Sequence, residues 1–340
     1  MRYKLLGPSG LRVSELALGT MTFGEDWGWG APKEESRRIF DRFVEGGGNF
    51  IDTANNYTNG TSERFLGEFV AGDRDHFVVA TKYTLTERTD DPNFGGNHRK
   101  NMVRSVEGSL QRLATDRIDL LWLHMWDGTT PVEEVLRGMD DLVRAGKVLS
   151  VGFSDTPAWV VSQAVAIARL RGWTAPVAVQ APYHLGARSV ERDVLPMATS
   201  LGLCVTPWAV TGQGSLTGKY NGPATEPRRW DVEGDTVSPS RLQLAEVVMS
   251  VAEEAGRSPA QVAINWVRQQ PGTIVPILGA RTELQIKDNL GCLDFELSSD
   301  QLARLSEASP IDLDFPRSFL ESGGVRELIF GQTYDLIEQR

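Results

Sequence analysis

The 340-residue sequence has little of several things that would place it early in a class. It holds two cysteines and four histidines. Cys204 and Cys292 sit in apolar contexts and read as reduced, buried thiols rather than a disulfide frame. The histidines show no Cys or His spacing of a ligand set, so no metal is expected. No apolar run approaches the roughly 20 residues that span a bilayer. The N-terminus lacks a charged-then-apolar leader, so the expectation is a cytoplasmic protein with no membrane partner. Positive charge is not in excess. The net charge of −10 argues against nucleic acid as a partner, because phosphate binding needs a basic face. No Gly-x-Gly-x-x-Gly follows the first strand-like run, which weakens an open dinucleotide-binding sheet. No Pro-, Gly- or Ser-rich linker divides the chain, so one domain over 1–340 is expected.

What is present is an alternation of strand and helix signals. A hairpin is expected over 3–13, around the turn Gly7-Pro8-Ser9-Gly10. Strand-like runs then follow at Glu15–Gly19, Asn49–Asp52, Phe77–Thr81, Ile118–Leu123, Val148–Phe153, Val177–Gln180, Leu203–Pro207 and Thr273–Ile277. Helical stretches lie between them. Thr130-Pro131-Val132-Glu133, Thr156-Pro157 and Ser258-Pro259-Ala260-Gln261 read as helix starts. Two helices are expected near 240–256 and 258–269, and another from Ser298 with Gln301 three residues on. Eight such units imply a parallel sheet closed into a (β/α)8 TIM barrel, with the N-terminal hairpin and extra C-terminal helices as additions. Segments 84–99, 211–239 and the tail 310–340 read as long rim loops, of the kind that usually carry function or are disordered.

Asp52, Tyr57, Lys82 and His124 each fall just past one of three successive strand-like runs. In a parallel barrel those strand ends share one rim, and the rim carries the active site. Taken singly, each residue has an ordinary reading as a cap, a surface group or a core histidine. Jointly they make a chemical set. A phenol is a poor acid near neutral pH, an ammonium beside it favours phenolate, and a carboxylate can hold the ammonium. Such a set can protonate a carbonyl oxygen while another group attacks the carbon.

Three stretches carry a resemblance: Asn49-Phe50-Ile51-Asp52-Thr53-Ala54-Asn55-Asn56-Tyr57, Val79-Ala80-Thr81-Lys82 and Ile118-Asp119-Leu120-Leu121-Trp122-Leu123-His124. With Val151-Gly152-Phe153-Ser154-Asp155-Thr156-Pro157-Ala158-Trp159, the chain resembles the aldo-keto reductase superfamily from about residue 3 to about 310, most strongly its aryl-alcohol dehydrogenase branch. The resemblance implies a carbonyl reductase using NADPH, that is, an oxidoreductase acting between carbonyl and alcohol. It makes Tyr57 the general acid, Lys82 the group that depresses its pKa, Asp52 the partner of Lys82, and His124 the group orienting the substrate.

For NADP(H) it implies Gly19, Thr20 and Met21 after the first strand, with Asp52 beside them. Ser154, Asp155 and Gln180 would hold the nicotinamide carboxamide. Many relatives carry Asn at Asp155, and a carboxylate cannot donate to the amide oxygen. Asp155 also reads as a helix-start residue, and both readings stay open. Trp208 would stack on the nicotinamide, or be an ordinary rim aromatic. In Gly212-Gln213-Gly214-Ser215-Leu216-Thr217-Gly218-Lys219, the glycines (Gly212, Gly214), Leu216 and Lys219 would approach a pyrophosphate. Gly279 and Arg281 would bring a helix start to the 2′-phosphate, with Gln285 and Asn289 on the adenine. Gln285 also reads as closing a capping box with Thr282. Phe23, Trp27, Trp29 and Trp126, with Tyr57 and His124, suggest a pocket for a flat apolar small-molecule carbonyl or alcohol. Two rival readings are a cofactor-binding regulatory subunit of the same fold with vestigial catalysis, and a different barrel enzyme such as an isomerase. The composition says nothing of oligomeric state.

Overall fold

The computed structural model describes residues 1–224 and 228–338. A short antiparallel hairpin, β1 (Tyr3–Leu5) and β2 (Arg12–Ser14), pairs Tyr3 with Ser14. Its Leu6 and Val13 are fully buried with Phe50, Val78, Leu120, Cys204 and Val275, so the hairpin plugs the lower end of the barrel. Gly7, at φ +57°, makes the turn; a Cβ there would lie 2.0 Å from the Val177 carbonyl oxygen, a contact only glycine permits.

The strands that follow are β3 (Ala17–Gly19), β4 (Phe50–Asp52), β5 (Val78–Tyr83), β6 (Ile118–Leu123), β7 (Val148–Ser154), β8 (Ala178–Pro182), β9 (Cys204–Trp208) and β10 (Ile277–Gly279). Among the described residues these eight form one parallel sheet, in sequence order from β3 to β9, with β10 beside β3. The arrangement is a (β/α)8 TIM barrel. The eighth strand lies later than the expected Thr273–Ile277. The β-branched run there is interrupted by Pro276, which has no N–H to donate towards β3, and among the described residues it meets β9 through a parallel bridge between Val205 and Ile274. Regular pairing begins at Ile277, against Ala17.

The helices are α1 (Lys33–Glu45), α2 (Thr61–Val70), α3 (Arg99–Arg112), α4 (Val132–Arg144), α5 (Ala158–Arg171), α6 (Val194–Leu201), α7 (Arg229–Glu233), α8 (Pro239–Ala255), α9 (Pro259–Arg268), α10 (Glu283–Leu290), α11 (Ser299–Glu307), α12 (Arg317–Leu320) and α13 (Gly323–Phe330). Ser258 and Ser298 cap α9 and α11 as expected, and Ser298 with Gln301 forms a full capping box. The expected threonine caps of α4 and α5 do not form. Thr130 Oγ1 donates to Asp127 and Thr156 Oγ1 to the Ser154 carbonyl, each at 2.7 Å, and the prolines take the cap positions instead. Loop 84–99 is tied down by reciprocal bonds between Asn97 and Asp127. Of the expected loop 211–239, residues 225–227 lie outside the described residues, and the remainder includes α7. Of the tail, 339–340 lie outside them; the expected loop over 310–340 is corrected, since α12 and α13 lie within it, while α11 is the extra helix expected near 298–308. Among the described residues no helix is long and apolar enough to cross a membrane.

Strand alternation sorts the side chains into two layers. Ile51, Val79, Leu121 and Val151 face the helices. Phe50, Val78, Ala80, Leu120 and Trp122 face the barrel axis. Trp122 fills that axis against Gly152, where a Cβ would meet the indole ring at 2.3 Å. Successive strand residues alternate faces, so the axis-facing row continues upward to Asp52, Lys82, His124, Ser154 and Gln180. The same periodicity that fills the barrel therefore delivers polar groups to its upper mouth.

Candidate active site

Lys82 is the centre of this mouth. Its side chain is fully withdrawn from solvent. The ammonium has three donors and finds three acceptors: Asp52 Oδ2 at 2.5 Å, the Thr53 carbonyl at 2.8 Å and the Tyr57 hydroxyl at 3.2 Å. Asp52 is held on its other oxygen by Gln180 Nε2 at 3.0 Å. The Asp52 carbonyl accepts from the Thr20 N–H and hydroxyl, at 2.9 and 3.1 Å. The Asp52–Lys82 pair is thus buried with its hydrogen-bonding capacity used, the condition under which a buried ion pair is tolerated.

Tyr57 follows β4 on a tight turn in which Thr58 and Asn59 both have positive φ, at 44° and 54°. Non-glycine residues seldom adopt that region, and two in succession throw the phenol back over the strand ends. Its ring meets Trp27 and His124 edge-on, at 6.4 and 6.0 Å between centroids. Burial raises the Tyr57 pKa above that of an ordinary phenol, while Lys82 pulls in the opposite direction and only partly offsets it. Lys82 thus acts in the expected direction, but burial outweighs it and the phenol holds its proton. Burial and the Lys82 charge lower the His124 pKa to about 3, which leaves a neutral imidazole at physiological pH.

These groups open onto a cavity of about 640 Å³, within the ~300–1,000 Å³ of small-molecule sites. Asp52, Tyr57 and His124 line it, with Trp27 and Trp29 from the expected pocket set. Of the residues expected to hold a cofactor, Gly19, Met21, Ser154, Asp155, Gln180, Trp208, Gly214, Lys219, Gly279, Arg281, Gln285 and Asn289 also line it. Besides Lys82, whose side chain is withdrawn beneath the lining, five expected residues do not. Thr20 is buried beneath, holding Asp52. Gly212 and Leu216 form the turn behind the wall, with Leu216 fully buried in the core. Phe23 is corrected from pocket to core: it is fully buried and packs edge-on against Phe69. Trp126 packs against the layer between strands and helices.

Asp155 is not a helix-start residue. It has φ +39°, its Oδ1 accepts from the Trp208 indole N–H at 3.1 Å, and Pro157 takes the α5 cap. Gln285 accepts from the Arg281 N–H at 2.8 Å rather than from that of Thr282, so it braces the start of α10 without completing a capping box. Arg229, Asn56 and Leu85 line the cavity without having been expected. Arg229 sits in a glycine- and proline-rich stretch with no periodicity to place it. Its guanidinium lies 5.3 Å from the Trp29 ring, and that of Arg281 lies 4.8 Å from the same ring. Two arginines far apart in the sequence thus stack on one indole.

The donor set suits an elongated, phosphate-bearing ligand. Ser154 and Gln180 are buried polar groups near the phenol. Lys219, Arg229 and Arg281 also line the cavity although the chain as a whole is acidic. Among the described residues no group of His, Cys, Asp and Glu is arranged to hold a metal. Both cysteines are buried, with thiol pKa values raised to about 12.

Residues 15–310 match the sequence model of the Aldo/keto reductase family. The chain is 40% identical over 329 residues to norsolorinic acid reductase stcV of Emericella nidulans, covering 94% of this chain and 84% of that one. It is 38% identical over 341 residues to an NADP(+) aryl-alcohol dehydrogenase of Phanerodontia chrysosporium, covering 93% and 88%. A putative aryl-alcohol dehydrogenase of Saccharomyces cerevisiae, AAD14, is 36% identical over 331 residues, covering 92% and 87%.

Proposed function

The chain belongs to the aldo/keto reductase family and is an oxidoreductase, and from that premise we propose that it reduces aromatic aldehydes or ketones to alcohols with NADPH. The observation that carries this reading is the saturated Lys82 ammonium, which binds the hydroxyl of a phenol that itself faces the cavity. When bound, the reduced nicotinamide supplies hydride to the carbonyl carbon. The chain supplies everything else. Tyr57 gives its proton to the carbonyl oxygen. The phenolate left behind is stabilised by Lys82, whose other two donors are already committed to Asp52 and Thr53. Neutral His124 donates an N–H to the substrate oxygen and aligns it with the phenol. General acid catalysis of this kind is worth about 10²–10⁴-fold.

The cofactor preference rests on Lys219, Arg229 and Arg281, because the 2′-phosphate is the only difference between NADPH and NADH and a guanidinium can pair with it bidentately. Ser154, Gln180, Gln285 and Asn289 offer amide and hydroxyl partners for the rest of the dinucleotide. The aromatic preference rests on Trp27, Trp29 and Tyr57 around the mouth, and on relatives named for aryl alcohols and norsolorinic acid. The test is NADPH consumption with matched aromatic and short aliphatic aldehydes. Higher kcat/KM for the aromatic members supports the reading. Tight NADPH binding without turnover of any carbonyl would instead favour a regulatory subunit.

A further inference from the structure

The charged groups at the catalytic end of the cavity do not cancel. Asp52 and Lys82 form one neutral pair. Tyr57 keeps its proton, and His124 is uncharged. Asp155 remains. Counting −1 for Asp52, +1 for Lys82 and −1 for Asp155 gives −1 for the set. This surplus carboxylate is built into place. The Asp155 N–H donates to the Gln180 carbonyl at 3.0 Å, and its carbonyl accepts from the Trp126 N–H at 3.3 Å. The intervening backbone sits at φ +39°, a region aspartate tolerates better than most residues. Its Oδ1 is fixed on the Trp208 indole, and both residues line the cavity beside Ser154 and Gln180. The position is half-buried, so burial raises the carboxyl pKa while the Trp208 N–H and the Lys82 ammonium lower it.

We propose that Asp155 selects the charge state of the nicotinamide: its fixed carboxylate favours the oxidised, positively charged ring over the reduced, neutral one. This deepens the proposed carbonyl reduction and rests on it. In that reaction the carbonyl carbon gains a hydride, with its electron pair, from the dihydronicotinamide. The carbonyl oxygen gains the Tyr57 proton, and the ring is left with one positive charge. A carboxylate held beside the ring stabilises that charge as it forms, so the bound reduced cofactor becomes a stronger hydride donor. The corollary is tighter retention of NADP+ after the reaction. The equilibrium in solution is untouched; what changes is the ratio of the two affinities.

The test is binding rather than turnover. Dissociation constants for NADP+, NADPH and adenosine 2′,5′-bisphosphate, which lacks the ring, are measured for wild type, Asp155→Asn and Asp155→Ser. Asn keeps an acceptor for Trp208 and loses only the charge; Ser loses both. The expected result is a rise of roughly tenfold in Kd(NADP+)/Kd(NADPH) in both variants, the size of a screened interaction between unit charges several ångströms apart. Affinity for the bisphosphate should stay the same. An unchanged ratio in Asp155→Asn overturns the proposal, as does a shift confined to Asp155→Ser, which would assign the effect to Trp208 placement. Equal weakening of all three ligands also overturns it. Failure of the wild type to bind either dinucleotide would remove the underlying reading itself.

Discussion

At the catalytic end of the cavity each functional side chain hangs from a strand end or the turn just after it, whereas Lys219, Arg229 and Arg281 hang from loops, a short helix and a helix start. The first group is held by hydrogen bonds within a saturated network around Lys82. Arg229 and Arg281 stack on Trp29, a kind of contact worth about 0.5–1 kcal/mol where exposed. The proposed proton transfer depends on the geometry of the first group, and the proposed phosphate recognition on the charge of the second. Chemistry and binding should therefore separate by residue.

The sharpest separation is expected from Tyr57→Phe. Losing the phenolic proton should reduce carbonyl reduction by about 10²–10⁴-fold, with the NADPH dissociation constant nearly unchanged. Parallel steady-state and fluorescence-quenching measurements check this, and a large loss of NADPH affinity would merge the two groups.

Lys82→Met strikes the same network from within. It removes the charge that opposes burial at Tyr57, so the kinetic pKa of the acid should rise further. It also strands Asp52, and breaking a buried pair typically costs about 3–5 kcal/mol of stability. Urea unfolding and a pH–rate profile read the two effects separately. A pH profile that stays in place would deny the Tyr57–Lys82 coupling.

Arg281→Ala tests the second group. NADPH binding should weaken by roughly 1.5–3 kcal/mol, the range for hydrogen bonds to charged groups, with NADH binding and kcat changing far less. Equal losses for the two cofactors would place Arg281 away from the 2′-phosphate.

A last effect is on pH-dependent stability. His124 and His184 are buried neutral, with pKa values lowered from 6.5 to about 3 and about 4. Between pH 6.5 and about 4 the unfolded chain binds protons that these imidazoles refuse in the folded state. Stability should fall with pH across that window, approaching about 1.4 kcal/mol per unit for each histidine. Replacing His124 with Gln should flatten the slope, seen as urea midpoints against pH.

The same contrast governs what was legible in the sequence. Asp52, Lys82 and His124 could be read because each continues a two-residue alternation out of an apolar strand, and alternation fixes the face. Phe23 was misplaced because it lies beyond its strand, where alternation stops; its ring turns into the helix layer. Arg229 had no signal at all, since its loop has neither period nor turn code. The threonine caps failed because Asp127 and the Ser154 carbonyl, partners set by the loops, took the hydroxyls first. The eighth strand was placed early because Val275 and its neighbours have strand propensity, while the pairing depended on the missing N–H of Pro276.

The barrel is a hoop whose last seam, beside β9, is narrow. Among the described residues, the Val205 N–H to Thr273 carbonyl and Val275 N–H to Val205 carbonyl bonds, both 2.8 Å, join β9 to the stretch leading into β10 and close the circle. If the hoop loosens anywhere, it should be here, and these two amides should be among the first in the wall to exchange with deuterated solvent. The seam lies below the cavity, and the two strands it joins carry Trp208 and Gly279 at their upper ends. A ligand lying across both would act as a second fastening. Occupancy above would then be readable as slowed exchange beneath, at two valines that never touch the ligand.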